Sequence, residues 1–213
     1  MRYHEVLVAW NQKLNESLDR ARRLGYTNFI LVTKEEVTGD LPKALLVPYS
    51  KGWREFARKK RGSNWVVGLP GRLSEARDMC NSRLIDLILL DPSKDPYFDY
   101  VCAKYLKKRG GGLIVPISWL FRRESIRNLR WASLQVKIAF KTSIPVIAGS
   151  FAEKPEEIPS PRQARAVLVE LLGLSDGQAL LSLTKFPGYF FSRRRSLARK
   201  GVIKGEIQGT DIS

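Results

Sequence analysis

The sequence predicts an α/β domain built as an irregular, TIM-like (β/α) barrel with about seven parallel strands, a C-terminal helical region and a basic tail. Short apolar runs alternate with amphipathic stretches, which is typical of parallel strands connected by helices. The runs are nearly continuous, as expected for strands that are covered on both faces. No linker-like segment divides the chain, so we assign residues 1–192 to one domain and residues 193–213 to the tail. An open doubly wound sheet is the alternative fold.

The clearest strand–helix–strand unit begins at the apolar run of residues 84–90. A polar loop with two prolines follows, and apolar residues at helical spacing predict a helix over residues 97–108. The glycines at 110–112 end this helix, and residues 113–117 resume a strand. Pro116 lies inside that run and lacks a backbone donor, so we expect a bulge or irregular pairing there.

The other strands are short apolar runs, and the helices between them carry apolar residues at 3.6-residue spacing. Strands are predicted at residues 6–10, 28–33, 44–47, 65–69 and 145–148. Helices are predicted at residues 15–24, 53–61, 73–81, 123–140 and 162–172. Residues 175–178 have the order Ser-Asp-Gly-Gln, a capping-box arrangement that favours a helix over residues 179–184. A closing strand is the alternative there.

The longest predicted helix separates an apolar face from a basic one, at about 100° per residue. The apolar positions on one side are Ile126, Leu129, Val136 and Phe140. The cations on nearly the opposite side are Arg123, Arg127, Arg130, Lys137 and Lys141. Such a stripe could follow a phosphate backbone, with the neighbouring Trp131 available for stacking. The alternative is the solvated outer face of a barrel helix.

The charge of the chain points to a polyanionic partner. It carries 37 Lys and Arg against 21 Asp and Glu, a formal net charge of +16. Nucleic acid is the first partner to consider, and a solvated basic surface is the alternative. The clusters at 58–61 and at Lys107 and Lys108 end helices, where positive charge also favours the helix dipole. Arg193, Arg194 and Arg195 lie in a tail with few apolar residues, which we expect to be flexible.

The expected strand ends offer little catalytic chemistry. In a (β/α) barrel the active site lies at the carboxyl ends of the strands, and Asp91 is the ionisable residue at those positions. We expect Asp91 to cap its loop. The one histidine, His4, precedes the first strand and is expected at the surface. The sequence therefore predicts no catalytic residue and no metal site.

The cellular location is predicted from the cysteines and from the absence of targeting signals. Cys80 and Cys102 have no disulfide or metal spacing, so we interpret them as buried thiols in a reducing compartment. The first residues lack the pattern of a signal peptide, and no apolar run approaches bilayer length. We expect a cytoplasmic protein without a membrane partner.

A group of short motifs resembles a known family. The matching residues are Asp86, Lys94-Asp95-Pro96, Asp99, Ala103-Lys104 and Ser160-Pro161-Arg162. With them the sequence resembles the archaeal ribonuclease P protein component three, best over residues 84–162. The resemblance implies a barrel similar to the polymerase and histidinol-phosphatase hydrolases. It also associates the motif positions Lys94, Asp95, Asp99, Lys104 and Arg162 with RNA or subunit contact. An internal loop ion pair between Lys94 and Asp95 is the alternative for those two residues.

The resemblance implies a function as well as a fold. The protein would be a non-catalytic RNA-binding subunit that assists the ribonuclease P RNA in removing the 5′ leader of precursor tRNA. It would pair with ribonuclease P protein component two and bind no cofactor, because the catalytic magnesium ions belong to the RNA. A metal-dependent phosphoesterase on the same barrel is one alternative. The second alternative is that the protein is a basic RNA-binding protein of another kind.

Overall fold

The computed structural model describes residues 2–8, 13–34, 41–60, 65–121 and 125–190. These ranges contain one seven-stranded sheet whose strands follow one another in chain order, each parallel to the next. The strands are β1 (His4–Val8), β2 (Asn28–Thr33), β3 (Lys43–Pro48), β4 (Trp65–Leu69), β5 (Leu87–Leu89), β6 (Gly112–Pro116) and β7 (Val146–Gly149). The predicted alternation of strands and helices is confirmed.

Eight α-helices connect or follow the strands in the described ranges. They are α1 (Leu14–Arg23), α2 (Trp53–Lys60), α3 (Leu73–Asn81), α4 (Tyr100–Arg109), α5 (Ile117–Leu120), α6 (Ser125–Lys141), α7 (Pro161–Ala166) and α8 (Asp176–Leu183). A 3-10 turn precedes α7, which continues as a π-helical turn over Val167–Leu171. Residues 185–190 are helical as well. No described helix is long and apolar enough to cross a membrane.

Local signals explain several helix ends. Gly110 adopts a left-handed conformation with φ of 63° and ends α4, as a residue without a side chain can do at low cost. Ser175 accepts a hydrogen bond from Gln178 N, and the Gln178 side chain accepts one from Ser175 N. This capping box begins α8, so the helical alternative for residues 179–184 is confirmed over Asp176–Leu183.

The first and last strands meet and nearly close the barrel. Phe151, just beyond β7, donates its backbone N–H to Val6 O at 3.0 Å. Gly149 lies so close to β1 that an added Cβ atom would stand 2.3 Å from Val6 Cβ. A doubly wound sheet also reverses its strand order, whereas this sheet keeps chain order throughout. The open-sheet alternative is therefore wrong.

The inside of the barrel is packed with apolar side chains from alternate strand positions, as in other small barrels. Aromatic pairs occupy the two ends of this interior. Trp119 and Phe151 meet edge to face at 5.7 Å near the carboxyl ends of the strands. Trp65 and Phe190 meet in the same way at 5.6 Å near the amino ends. The last described helical turn thus covers the end of the barrel interior at which the strands begin, which we call the barrel floor.

Two expectations about individual residues are wrong. Pro116 causes no bulge, because β6 pairs in continuous register with β7 up to Pro116 opposite Gly149. Pairing with β5 stops earlier, at Leu89 opposite Ile114, so no β5 residue needs a donor from the proline. His4 is buried rather than at the surface, because it begins β1 and lies beside Gly188 of the C-terminal region.

The buried face of α6 agrees with the prediction except at Ile126. Ile126, expected to face inward, is 84% exposed. The buried positions of the helix are Asn128, Ala132, Gln135, Val136 and Ala139. Val136 belongs to the predicted apolar face, and Leu129 and Phe140 of that face are half-buried against the same core. The prediction is therefore wrong at Ile126 and confirmed at the other three positions. The basic stripe still lies nearly opposite the buried face.

Candidate nucleic-acid interface

Parallel strands and their connecting helices give the barrel two chemically distinct ends. The strands begin and most of the helices end at one end, which we call the amino-terminal face. The strands end at the other, the carboxyl-terminal face, where active sites of such barrels lie. Lys107 and Lys108, in the last turn of α4, belong to the amino-terminal face. Lys94 follows β5 and Arg162 begins α7, so both belong to the carboxyl-terminal face.

The α6 stripe forms a third surface, on the side of the barrel. Arg127, Arg130 and Lys137 are exposed there. The guanidinium of Arg127 lies 4.6 Å from the centre of the Trp131 ring. Leu134, 52% exposed, lies among these cations, as does Ile126. This surface can offer positive charge to phosphate and apolar area to a base or a protein side chain.

Four predicted RNA-binding residues cannot be placed. Arg123, Arg193, Arg194 and Arg195 lie outside the described residues. The predicted boundary between the domain and the tail lies outside them as well. The remaining predicted cations are all exposed, but they are distributed over three surfaces rather than one. They are Lys94, Lys104, Lys107, Lys108, Arg127, Arg130, Lys137 and Arg162. The sequence therefore identified exposed cations without showing how they group.

Asp91 acts as a loop cap, as predicted. Its Oδ1 accepts hydrogen bonds from Ser93 N at 3.0 Å and from Ser93 Oγ at 2.6 Å. The backbone of Lys94 donates to Asp91 O at 3.1 Å and completes the turn. Lys94 and Asp95 are both exposed, and the ion pairs of the described chain do not join them. The alternative in which these two residues form an internal ion pair is wrong.

Asp99 has a structural function at the start of α4. Its Oδ1 accepts from Cys102 N at 2.9 Å, which caps the helix. Its Oδ2 accepts from Arg77 Nε at 3.0 Å and Nη2 at 2.6 Å, which ties α3 to α4. Partial burial acts to raise the pKa of Asp99, but the bonds from Cys102 and Arg77 outweigh it and hold the pKa below its ordinary value. Asp99 therefore positions the helix that carries Lys104.

The last turns of the helices bring cations to the amino-terminal face. Arg109 serves as an anchor, because its Nη1 donates to Ile85 O at 3.3 Å and its Nη2 to Cys80 O. The neighbouring Lys107 and Lys108 point to solvent. Positive charge also ends α1 and α2. Arg109 thus fixes the end of α4, and the two lysines remain available for an anion.

Side chains of the protein itself fill the carboxyl-terminal end of the barrel, where an enzyme of this fold would bind its substrate. Trp119 and Phe151 are buried there, and their rings fill the end of the barrel interior. Ser118 Oγ donates to Glu157 O at 3.0 Å, and Ser150 is fully buried. Within the described ranges, no three His, Cys, Asp or Glu residues come together to hold a metal ion.

Glu5 is a buried ionisable residue that sequence reasoning missed. It is fully buried on β1, where its Oε1 accepts from Val6 N at 3.1 Å and Ser150 N at 2.6 Å. The carboxylate thus bridges the gap between β1 and β7 at the point of closure. Burial raises the pKa of Glu5 to about 7, despite the opposing hydrogen bonds. Strand alternation offered a signal, because Glu5 shares its side of β1 with the buried Leu7.

The cysteines are buried, as expected. Both Cys80 and Cys102 are free thiols inside the protein. Hydrogen bonding with Cys102, together with burial, raises the pKa of Cys80. A thiol with a raised pKa is a poor nucleophile, which agrees with a packing function for Cys80.

Comparison with known proteins identifies a solved structure of the same fold. A chain in the cryo-EM structure of archaeal ribonuclease P with mature tRNA superimposes with a TM-score of 0.76 and 16% sequence identity. The match covers 99% of this chain and 100% of that chain. No protein-family model matches the sequence, and neither does any curated protein. The similarity therefore confirms the predicted barrel over its whole length.

Proposed function

We propose that the protein is a non-catalytic, RNA-binding subunit of ribonuclease P that helps the catalytic RNA to remove the 5′ leader of precursor tRNA. The observation that carries this proposal is the full-length similarity to a chain of archaeal ribonuclease P, at a TM-score of 0.76. The sequence motifs around Lys94, Lys104 and Arg162 support it independently, since they resemble a protein component of the same enzyme.

The charge of the protein suits this function. A large RNA folds against the mutual repulsion of its phosphates, and bound cations reduce that repulsion. The chain carries a formal net charge of +16. Lys107 and Lys108 extend into solvent from α4, and Arg130 and Lys137 extend from α6. Such residues can replace part of the counterion atmosphere without reading the RNA sequence.

The filled carboxyl-terminal face supports a non-catalytic function. Trp119 and Phe151 occupy the place where a barrel enzyme binds its substrate, and Asp91 is engaged in its own loop. The proposal therefore assigns the cleavage chemistry and its magnesium ions to the RNA. The partners are the ribonuclease P RNA, precursor tRNA within the holoenzyme and, as the resemblance implies, ribonuclease P protein component two. We place this assembly in the cytoplasm.

A magnesium titration of precursor-tRNA cleavage tests the proposal. The catalytic RNA and component two are assayed with this chain, without it, and with an unrelated basic protein of similar net charge. We expect this chain to lower the magnesium concentration needed for half-maximal cleavage, and to do so more than the unrelated protein does. The chain alone should leave precursor tRNA uncut. Cleavage by the chain alone would instead support the phosphoesterase alternative. If this chain and the unrelated basic protein lower the magnesium requirement equally, the effect is general charge screening rather than the function of a specific subunit.

A further inference from the structure

The amino-terminal face of the barrel collects cations from several helices that are distant in sequence. Two contacts establish which segments reach it. Arg109 at the end of α4 donates to Ile85 O, just before β5. Phe190 packs near the starts of β4 and β6, and an added Cβ atom on Gly112 would stand 3.0 Å from Phe190 Cζ. The end of α4 and the last described residues therefore lie on the same face.

Unpaired positive charge surrounds this face. The exposed cations at the ends of α1, α2, α4 and α6 are Arg23, Arg58, Lys59, Lys107, Lys108 and Lys141. The ion pairs of the described residues include none of the six. Nearby acids are already engaged: Asp19 pairs with Arg22 at 2.9 Å, and Asp86 Oδ2 accepts from Val66 N at 3.0 Å. The cations are thus not neutralised from within the described chain.

The carboxyl-terminal face has a different charge pattern. The 3-10 turn Pro155–Glu157 carries two exposed carboxylates, and Arg72 pairs with Glu75 at 2.9 Å. Exposed cations such as Lys51 and Lys154 are therefore interspersed with acids. A phosphate backbone would meet carboxylates there, and repulsion from them would offset the attraction of the lysines.

The helix dipole favours a cation at each helix end of the amino-terminal face, but it does not require adjacent pairs of cations there. A positive side chain in a last turn gains about 0.3–1 kcal/mol from the dipole. Adjacent unpaired cations, such as Lys107 beside Lys108 and Arg58 beside Lys59, also repel one another. A polyanion that spans several helix ends would remove this repulsion and release its own counterions.

We propose that the amino-terminal face is the principal RNA-binding surface, and that it contacts the phosphate backbone of structured RNA. The inference rests on the proposed function to the extent that RNA is the partner. Tyr189 adds an aromatic ring to this face, since it is 47% exposed and packs edge to face on Phe190 at 5.5 Å. An unpaired base adjoining the bound backbone can stack on that ring.

Matched double substitutions test which face binds. The test variant carries Lys107→Gln and Lys108→Gln, and the control variant carries Lys51→Gln and Lys154→Gln on the carboxyl-terminal face. Each pair removes the same charge from exposed positions. A third variant, Arg127→Gln with Arg130→Gln, reports on the α6 surface. Affinity is measured against salt concentration for the ribonuclease P RNA and for an unrelated RNA duplex, and thermal melts verify folding.

We expect the Lys107/Lys108 variant to lower the slope of log affinity against log salt by about one to two units, because each lost phosphate contact accounts for just under one unit. Affinity at about 0.1 M salt should fall by about tenfold or more. The Lys51/Lys154 variant should keep the wild-type slope. An unchanged slope in the Lys107/Lys108 variant, or a larger loss in either other variant, would overturn the proposal.

The cleavage assay separates this inference from the proposed function. If wild-type protein supports cleavage while the Lys107/Lys108 variant binds RNA normally, the surface is wrong and the subunit function stands. If the variant loses affinity for both RNAs but wild-type protein does not affect cleavage, the surface stands and the ribonuclease P function fails. Wild-type protein that binds neither RNA would overturn both.

Discussion

Glu5 shows how one buried carboxylate can complete a barrel. Its Oε1 accepts from Val6 N and Ser150 N, where the strands β1 and β7 approach each other. Burial raises its pKa from 4.5 to about 7, so the folded protein binds this proton more tightly than the unfolded chain does. The stability contributed by Glu5 is then fully present below pH 4.5 and is lost as the pH rises through 7.

The first prediction concerns the pH dependence of stability. Wild-type protein should lose up to about 3 kcal/mol from this group between pH 5 and pH 8, because each pKa unit corresponds to about 1.4 kcal/mol. Glu5→Gln should remove that loss, since a neutral amide oxygen can still accept both hydrogen bonds. Urea unfolding at the two pH values measures the difference between the proteins. His4, whose pKa burial lowers, contributes a slope of opposite sign in both proteins and cancels in that difference.

The exposed Glu156→Gln variant is the control for this measurement, and it should follow the wild-type pH dependence. A Glu5→Gln protein with the same pH dependence as wild type would show that Glu5 does not titrate in this range.

A second residue-scale prediction concerns Asp99. Asp99→Ala removes the cap of α4 and the partner of Arg77, so it should cost about 1–2 kcal/mol of folding free energy at neutral pH. Asp99→Asn keeps a capping oxygen and should cost less. Because the pKa of Asp99 is lowered in the folded protein, the stability that Asp99 contributes is lost as the pH falls through that pKa. Equal stability of all three proteins at neutral pH would contradict a structural function for Asp99.

At the scale of elements, α6 shows where sequence reasoning succeeds and where it fails. The helix and its basic stripe were predictable, because charged side chains lie on the solvent face of a surface helix. The presence of Gln135 on its buried face was not predictable, because Gln135 lies there to accept from Tyr97 N at 3.1 Å and Phe98 N at 2.8 Å. Tertiary hydrogen bonds of this kind leave no local pattern. The ends at Gly110 and Ser175 were predictable because their capping signals are local.

The element-scale prediction follows from Gln135. Gln135→Ala leaves the two buried donors of Tyr97 and Phe98 without their acceptor, and each unsatisfied donor costs about 1–3 kcal/mol. We therefore expect about 2–5 kcal/mol of destabilisation in chemical unfolding. Arg130→Ala on the exposed side of the same helix is the matched control and should change stability by less than about 0.5 kcal/mol. Similar losses in both variants would assign the effect to helix propensity instead.

For the whole molecule, the strand order and the barrel class were predictable, but closure and charge distribution were not. Closure depends on the contact of Gly149 with Val6 and on the bridge through Glu5, which join residues about 145 positions apart. The division of charge between the two faces arises only when strands align in parallel and bring distant helix ends together. Neither property is encoded in any short stretch of sequence.

The last prediction compares two truncations. Ending the chain after Thr184 removes Phe186 and Phe190, whose side chains pack into the barrel floor. Removing a buried phenylalanine costs about 3–5 kcal/mol, so the melting temperature should fall by about 6–20 °C for a chain of this size. Ending it after Ser192 keeps both side chains and removes Arg193, Arg194 and Arg195 with a stretch poor in apolar residues. Here the melting temperature should barely change, while RNA affinity at low salt falls.

Phe190→Ala in the full chain is the control, because it removes the packing but keeps every charge. It should reproduce the stability loss of the chain that ends after Thr184, and it should keep the salt dependence of RNA binding. If truncation after Ser192 destabilises the protein as much as truncation after Thr184 does, residues 193–213 contribute to the fold and the assignment of a separate basic tail is wrong. If both truncations leave the melting temperature unchanged, the aromatic contact between Trp65 and Phe190 does not stabilise the barrel floor.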